Sequence, residues 1–142
     1  SPAFEENQLI PLIYSCDGDN VNPPLEISET TGGAQSLALI VDDPDAPNGT
    51  FTHWVVWDIS PQTQHIPENS VPEGAIQGLN SAGRVGYYGP CPPRGVHHYH
   101  FKLYALNRKL NVTQNATVSE IQREVDLCTL EKSELVGTYS RE

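Results

Sequence analysis

Three stretches of the chain show the patterns of apolar and polar residues that are typical of β-strands. Ser36–Asp43 has an unbroken apolar centre, and Phe51–Ile59 is rich in aromatic and β-branched residues. In His98–Leu106 apolar and polar positions alternate, which predicts one buried face and one solvated face. Weaker patterns of the same kind predict short strands at Ile10–Tyr14, Leu25–Ile27 and Gly74–Leu79.

Helix signals are confined to the last part of the chain. Thr117 or Ser119 can cap a segment in which apolar residues recur at spacings of three and four as far as Cys128. A second short helix is predicted over Leu130–Val136, where Gly137 suits a left-handed C-cap. The order of these elements predicts a mainly β fold, a two-sheet antiparallel β-sandwich of the Greek-key type with a short C-terminal helical segment.

The length and composition predict a single folded domain and exclude several classes of partner. The 142 residues, 15.6 kDa in mass, are 37% hydrophobic and only 18% charged, so one domain over residues 1–142 can bury a core. Eight basic residues against 18 acidic ones leave a formal charge of −10, which disfavours nucleic acids and anionic lipid surfaces. No apolar run approaches the length of a transmembrane helix.

The three cysteines, Cys16, Cys91 and Cys128, match neither a disulfide framework nor a zinc motif. We expect three free thiols that behave as small buried hydrophobic side chains. The alternative is one bridge, Cys16–Cys91, which leaves Cys128 unpaired. No leader-type segment is recognisable at Ser1, so any leader is expected to have been removed already, and the sequence does not indicate the compartment. A cytoplasmic location is favoured, while periplasmic and secreted locations stay open.

Strand parity predicts where three polar side chains lie. Asp43 lies on the same strand face as Leu37, Leu39 and Val41. His97, at the start of the third strand, shares a face with Tyr99, Phe101 and Leu103. His53 falls on the parity of Val55 and Trp57 in the second strand. All three therefore point to the better-buried side at the point where a strand enters or leaves the sheet.

These residues together predict a small polar pocket. The loop Pro44–Thr50 is short, so the first two strands are expected to pair antiparallel, with Asp43 and His53 at the same end. Asp43 can orient one imidazole through Nδ1–H and keep it protonated, which leaves the other donor for an anionic oxygen. The Pro-rich loop Gly86–Gly95 can supply backbone N–H groups and a rigid wall.

Other interpretations of the same residues stay open at this point. An Asp beside a Pro-rich turn commonly forms an Asx turn, and an inward His is commonly a hydrogen-bonded core residue. His98 and His100 could be half of a metal site, and the Asp17–Asp19 cluster could bind calcium, although neither pattern is complete. A hydrolase is disfavoured because no G-x-S-x-G elbow is present and Cys91 lacks an electropositive setting.

Five segments, taken together, resemble the phosphatidylethanolamine-binding protein family, also called Raf kinase inhibitor proteins, and most closely its bacterial and archaeal branch. The resemblance covers nearly the whole chain, from Phe4 to Arg141. The segments are Cys16–Leu25 (CDGDNVNPPL), Asp43–Pro47 (DPDAP), Thr52–Asp58 (THWVVWD), Gly86–Gly95 (GYYGPCPPRG) and His97–Leu106 (HHYHFKLYAL).

The resemblance implies a two-sheet antiparallel β-sandwich with a pocket for phosphate-like and phosphoryl-ethanolamine-like anions. It implies neither an enzyme, nor a cofactor, nor a metal site, because the family is not known for a secure catalytic activity. Carried over segment by segment, the ligand-binding residues are Asp43, Pro47, His53, Gly89, Pro90, Pro92, His97 and Tyr99. The longer C-terminal helix of the animal proteins, with its pocket tyrosine, has no clear counterpart, and whether Tyr139 replaces that tyrosine is open.

We therefore expect a non-enzymatic binding protein for a small phosphorylated or anionic ligand, which modulates a signalling or protease partner. The alternative is an inhibitor of a serine protease or a kinase that acts independently of the pocket. Its candidate contact loops are Pro44–Thr50 and Gly83–Gly95, which proline makes rigid and therefore inexpensive to immobilise on binding.

Overall fold

A computed structural model describes residues 1–30 and 32–141 of the chain, and this part contains eight β-strands and one α-helix. A single 3₁₀ turn, Leu12–Tyr14, follows the first strand. The elements are β1 (Gln8–Leu9), β2 (Leu25–Glu26), β3 (Ser36–Asp43), β4 (Phe51–Ile59), β5 (His65–Ile66), β6 (Ile76–Gln77), β7 (Val96–Leu106), α1 (Val118–Cys128) and β8 (Thr129–Ser140).

The strands form two sheets, which confirms the predicted mainly β fold. The larger sheet has the order β1-β8-β7-β3-β4-β6, and β2 and β5 form the smaller one. Adjacent strands are antiparallel except for the short pair of β1 with β8, which is parallel. The central strand β3 is buried along its whole length and hydrogen bonds to β4 on one side and β7 on the other.

Each face of the larger sheet covers its own apolar core. The inter-sheet core lies between the two sheets and contains Leu25, Leu37, Leu39, Val41, Trp54, Val56, Ile66, Tyr99, Phe101 and Tyr139. The helix-side core lies under α1 and contains Ala38, Ile40, Val55, Trp57, Tyr104, Leu106, Ile121, Val125 and Cys128. Because β3 is apolar on both faces, it contributes to both cores at once.

A β-bulge interrupts the alternation of β4. Thr52 and Trp54 lie opposite successive residues of β3, so His53 between them is an extra residue. Val55 and Trp57 pack in the helix-side core, whereas His53 faces the inter-sheet side, next to Trp54. The parity that grouped His53 with Val55 and Trp57 is therefore wrong, and the bulge is what brings His53 to the predicted side.

Most of the predicted elements are present, with shifted ends. β3 and β4 have their predicted bounds, β7 begins two residues before the predicted His98, and the two weaker predictions at Leu25–Ile27 and Gly74–Leu79 each contain a two-residue strand. Helix α1 begins after Thr117, whose hydroxyl accepts the backbone N–H of Glu120 while the Glu120 carboxylate accepts the Thr117 N–H.

Two predictions of local structure are wrong. Ile10–Tyr14 is not a strand, because the chain turns after Pro11 into the 3₁₀ helix. Leu130–Val136 is not a helix but the first half of β8, which pairs with β7 almost residue by residue. Its Leu, Glu and Lys residues favour a helix intrinsically, but the long antiparallel ladder outweighs that weak preference.

Gly137 of β8 leaves room for the N-terminal segment to pack on the sheet. A Cβ atom at this position would lie 2.6 Å from Ile10 Cγ1 and 2.6 Å from Phe4 Cε2, both in the inter-sheet core. We predict that Gly137→Ala lowers the free energy of unfolding by about 2 kcal/mol, because the methyl group overpacks this contact. Urea denaturation measures the change.

The matched control is Gly32→Ala, where a new Cβ meets nothing within 4 Å. This variant should stay within about 0.5 kcal/mol of the parent protein. Equal stability of the Gly137→Ala variant and the parent would show that the N-terminal segment does not pack against β8 as described.

Candidate functional site

A small cavity opens where β3 ends and where β4 and β7 begin. Its volume is about 160 Å³, and one wall is the Pro-rich segment after β6. It is lined by Asp43, Ala46, Pro47, Phe51, His53, Tyr88, Cys91, Pro92, Pro93, His97 and Tyr99. The antiparallel pairing of β3 with both neighbours places Asp43, His53 and His97 at one end of the sheet, as predicted.

Asp43 orients His97 and also stabilises the turn that follows β3. The Nδ1 atom of His97 lies 2.6 Å from Asp43 Oδ2, and both side chains are buried. The other carboxylate oxygen, Oδ1, accepts the backbone N–H of Asp45 at 2.8 Å, as in an Asx turn. The structural and functional interpretations of Asp43 are therefore compatible, because each uses a different oxygen atom.

His53 is held by a main-chain carbonyl instead of a carboxylate. Its Nδ1 atom lies 2.5 Å from the carbonyl oxygen of Tyr88, and only 4% of the residue is exposed. Burial lowers the pKa of His53 below its ordinary value of 6.5, and this effect outweighs the opposing influence of that carbonyl and of the Asp43 carboxylate. The neutral imidazole is therefore favoured at neutral pH.

Tyr99 lines the cavity, but its hydroxyl group is sealed within the protein. The residue is 1% exposed, and its oxygen has no hydrogen-bond partner within residues 1–30 and 32–141. Burial, followed by the nearby carboxylates of Asp43 and Asp45, raises the pKa of Tyr99, so the phenol keeps its proton. A buried hydroxyl in this condition is costly unless a water molecule or a ligand pairs with it.

Aromatic rings enclose the imidazole of His53. The His53 ring centroid lies 4.7 Å from that of Phe51, 6.0 Å from that of Tyr88 and 5.2 Å from that of Tyr99, the last in an edge-to-face arrangement. His97 stacks on the other side of Tyr99 at 6.5 Å. The polar atoms of the cavity thus lie in a largely apolar surround, where hydrogen bonds and charges are strengthened.

The Gly86–Gly95 loop is fastened to the N-terminal part of the chain. Cys91 forms a disulfide with Cys16, with 5.4 Å between the Cα atoms. The Pro90 carbonyl accepts the Cys16 N–H, and the Gly89 N–H donates to Asn20 Oδ1 at 2.7 Å. The expectation of three free thiols is therefore wrong, because chain segments 75 residues apart meet here, while Cys128 is free and buried.

Gly89 and Pro90 are not among the residues that line the cavity. A Cβ atom on Gly89 would lie 2.2 Å from the carbonyl oxygen of Tyr14, so the loop can approach this segment closely only with glycine there. Both residues thus serve to attach the loop. The other six predicted residues, Asp43, Pro47, His53, Pro92, His97 and Tyr99, do line it.

Tyr139 lies outside the cavity lining. It is opposite His97 in the β7–β8 ladder, but its hydroxyl accepts a hydrogen bond from Ser15 and donates to Asp17 Oδ2 at 2.9 Å. Asp17 also pairs with Arg141 at 3.0 Å, so this carboxylate has partners within the protein.

Five lining residues were not predicted, namely Ala46, Phe51, Tyr88, Cys91 and Pro93. Each is adjacent or next but one to a predicted residue, so a wider window around each segment would have included them. The carbonyl of Tyr88 had no signal in the sequence, because a main-chain oxygen is supplied by any residue type.

The histidines on the opposite face of β7 each contact a carboxylate. Nδ1 of His98 lies 2.7 Å from Asp45 Oδ2, and Nδ1 of His100 lies 3.4 Å from a Glu134 carboxylate oxygen. Within the part of the chain that the structure describes, no group of three His, Cys, Asp or Glu side chains is arranged to hold a metal ion. In the same residues no helix is long and apolar enough to cross a membrane.

The environment of His53 leads to a prediction about its titration. We expect its ring to titrate below pH 6.5, because burial penalises the imidazolium. His53 therefore contributes stability above pH 6.5 that is lost as the pH falls toward its lower folded-state pKa. An NMR titration of the histidine Cε1–H protons, with His53→Gln used for assignment, measures the midpoint; a value above 6.5 contradicts the burial described here.

Comparison with known proteins places the chain in a family. The family model described as "Phosphatidylethanolamine-binding protein" matches residues 1–140. A UPF0098 protein of Pyrococcus horikoshii is 48% identical over 99% of this chain and 75% of its own length, and one of Methanothermobacter thermautotrophicus is 43% identical over 98% and 95%.

Solved structures agree with this placement. A phosphatidylethanolamine-binding protein homologue of Chlamydia trachomatis superimposes with a TM-score of 0.95 at 39% identity, covering 100% of this chain and 95% of the other. YbcL of Escherichia coli, described as a member of the mammalian family, gives a TM-score of 0.94 at 29% identity, with coverages of 100% and 96%. The chain belongs to the phosphatidylethanolamine-binding protein family.

Proposed function

We propose that this chain is a non-catalytic binding protein whose cavity holds a small anionic group of the phosphoryl type. The observation that carries the proposal is the pair of imidazoles, His53 and His97, on the lining of one small cavity, with the Asp43 carboxylate bonded to His97. An imidazolium held by a carboxylate donates strongly to a negatively charged oxygen, so this arrangement favours an anion in the cavity. A volume of about 160 Å³ suits a group of a few heavy atoms and not a whole lipid.

The ring nitrogens support the same assignment. The hydrogen bonds of His53 and His97 described above both use Nδ1, so Nε2 is the atom that each ring can offer to a ligand. Both rings line the cavity. The Asp43 carboxylate is the counter-charge for an imidazolium at His97, which would donate to an anion.

Substitution of the two cavity histidines tests this proposal. We predict that His97→Ala and His53→Ala each weaken binding of inorganic phosphate about tenfold or more, because each removes a buried polar contact to a charged ligand. Isothermal titration calorimetry near pH 6 measures the affinity. Circular dichroism establishes whether each variant is folded.

The matched control is His98→Ala, which removes the imidazole next to Tyr99 in the sequence; it lies on the opposite face of β7 and outside the cavity lining. It should bind phosphate like the parent protein. If the parent binds phosphate and the two cavity variants bind it equally well, the anion lies elsewhere and the assignment of the cavity is wrong.

A second candidate function is inhibition of a protease through the Gly83–Gly95 loop. Its support is the exposure of Arg94 and its neighbours on a segment that the Cys16–Cys91 disulfide and three prolines make rigid. A preorganised loop loses little conformational entropy when it docks into a partner. An exposed Arg on such a loop suits a protease that cleaves after basic residues.

The two functions are separable by one pair of variants. If the loop inhibits a trypsin-like protease, Arg94→Ala should abolish the inhibition and leave phosphate binding unchanged, because Arg94 does not line the cavity. His97→Ala should weaken phosphate binding and leave the inhibition unchanged. A panel of serine proteases assayed with a chromogenic substrate measures the inhibition, and no inhibition at micromolar protein removes this candidate.

A further inference from the structure

We propose that the cavity selects oxyanions that still carry a proton, such as hydrogen phosphate or a phosphomonoester monoanion, over fully ionised oxyanions such as sulfate or a phosphodiester. The inference rests on the proposed anion-binding function and adds a rule of selectivity to it. Its consequence is that the phosphodiester of an intact lipid headgroup is a poorer ligand than a terminal phosphate.

The Tyr88 carbonyl determines which nitrogen of His53 carries hydrogen. A carbonyl oxygen can only accept, so the 2.5 Å contact places the proton on Nδ1 of His53. In the neutral ring, Nε2 is then a lone pair and can only accept. His53 therefore offers a ligand an acceptor, contrary to the expectation that both imidazoles donate.

The groups around His53 favour this neutral state. Besides the Tyr88 carbonyl, the main chain of Gly89 lies close enough to raise the pKa of His53, and the ring packs against the aromatic rings of Phe51, Tyr88 and Tyr99. The charges that act on it are the carboxylates of Asp42 and Asp43, each of which already has a cationic or imidazole partner, Lys102 at 2.6 Å and His97 at 2.6 Å. The net effect is the lowered pKa described above.

The remaining polar atoms of the cavity are donors or can become donors. The Tyr99 hydroxyl is sealed, so the donor that can face a ligand is Nε2 of His97 when that ring is protonated. A complementary ligand therefore has at least one oxygen that accepts and one O–H that donates to His53. A fully ionised oxyanion would place a negative oxygen against the His53 lone pair and leave both groups unsatisfied.

This pattern separates ligands of nearly equal shape. Phosphate and methyl phosphate carry an O–H near pH 6, since the second pKa of a phosphomonoester is about 6. Sulfate and dimethyl phosphate have no such proton at this pH. None of the four has an amine, so no ammonium group can donate to His53 in place of the O–H.

The experiment compares these four anions on the parent protein at pH 6 and constant ionic strength by isothermal titration calorimetry. We expect sulfate to bind roughly tenfold to a hundredfold more weakly than phosphate, which is the effect of leaving one buried polar group unpaired. Dimethyl phosphate should be weaker than methyl phosphate by a similar factor. Phosphoethanolamine against glycerophosphoethanolamine then compares a free monoester with the intact lipid headgroup.

The outcomes distinguish this inference from the function on which it rests. Equal binding of phosphate and sulfate, or of the two methyl esters, overturns the selectivity and leaves the anion-binding function in place. Binding of none of the anions removes both.

A variant connects the selectivity to the lone pair of His53. The His53→Gln side chain can donate as well as accept, so sulfate should gain affinity relative to phosphate and the discrimination should largely disappear. His98→Ala, outside the cavity, should keep the ratio of the parent protein. If His53→Gln prefers phosphate over sulfate as strongly as the parent protein, a group other than His53 makes the selection. If this variant does not fold, the four anion affinities of the parent protein still test the selectivity.

Discussion

The pairing of β3 with a strand on each side is the constraint on which the rest of the molecule depends. β3 contributes apolar side chains to both cores, and its hydrogen bonds determine the positions of β4 and β7. Because both neighbours run antiparallel to it, the end of β3 meets the starts of the other two. Asp43, His53 and His97 therefore converge at one end of the sheet, where the Asp43–His97 hydrogen bond and the Tyr88 carbonyl orient the two imidazoles.

The cavity needs a second constraint, which closes it from the side of the loop. The Cys16–Cys91 disulfide, the Gly89–Asn20 hydrogen bond and the Tyr87 hydroxyl bonded to the Tyr14 carbonyl join the loop to the N-terminal segment. The same loop supplies the Tyr88 carbonyl that holds His53. A disulfide in such a place is typical of proteins that fold in an oxidising environment.

The two histidines differ in chemistry because their orienting partners differ. A carboxylate holds His97 and can balance its positive charge, whereas a neutral carbonyl and aromatic rings surround His53 and oppose such a charge. Between them Tyr99 contributes a phenol that keeps its proton. One small cavity is thus lined by two imidazoles in different chemical settings, and the selectivity proposed above rests on this difference.

The sequence by itself determined the family and the strongly patterned elements. Alternation along β7, the apolar run of β3 and the capping box of α1 are all local signals. Six of the eight site residues predicted from the sequence line the cavity. Local patterns could not reveal that Leu130–Val136 extends as a strand, since only pairing with β7 outweighs its helical preference. Nor could they show the bulge at His53, the bridge between Cys16 and Cys91 or the carbonyl that holds the imidazole. These features join residues far apart in the chain or use backbone atoms, so only the tertiary structure decided them.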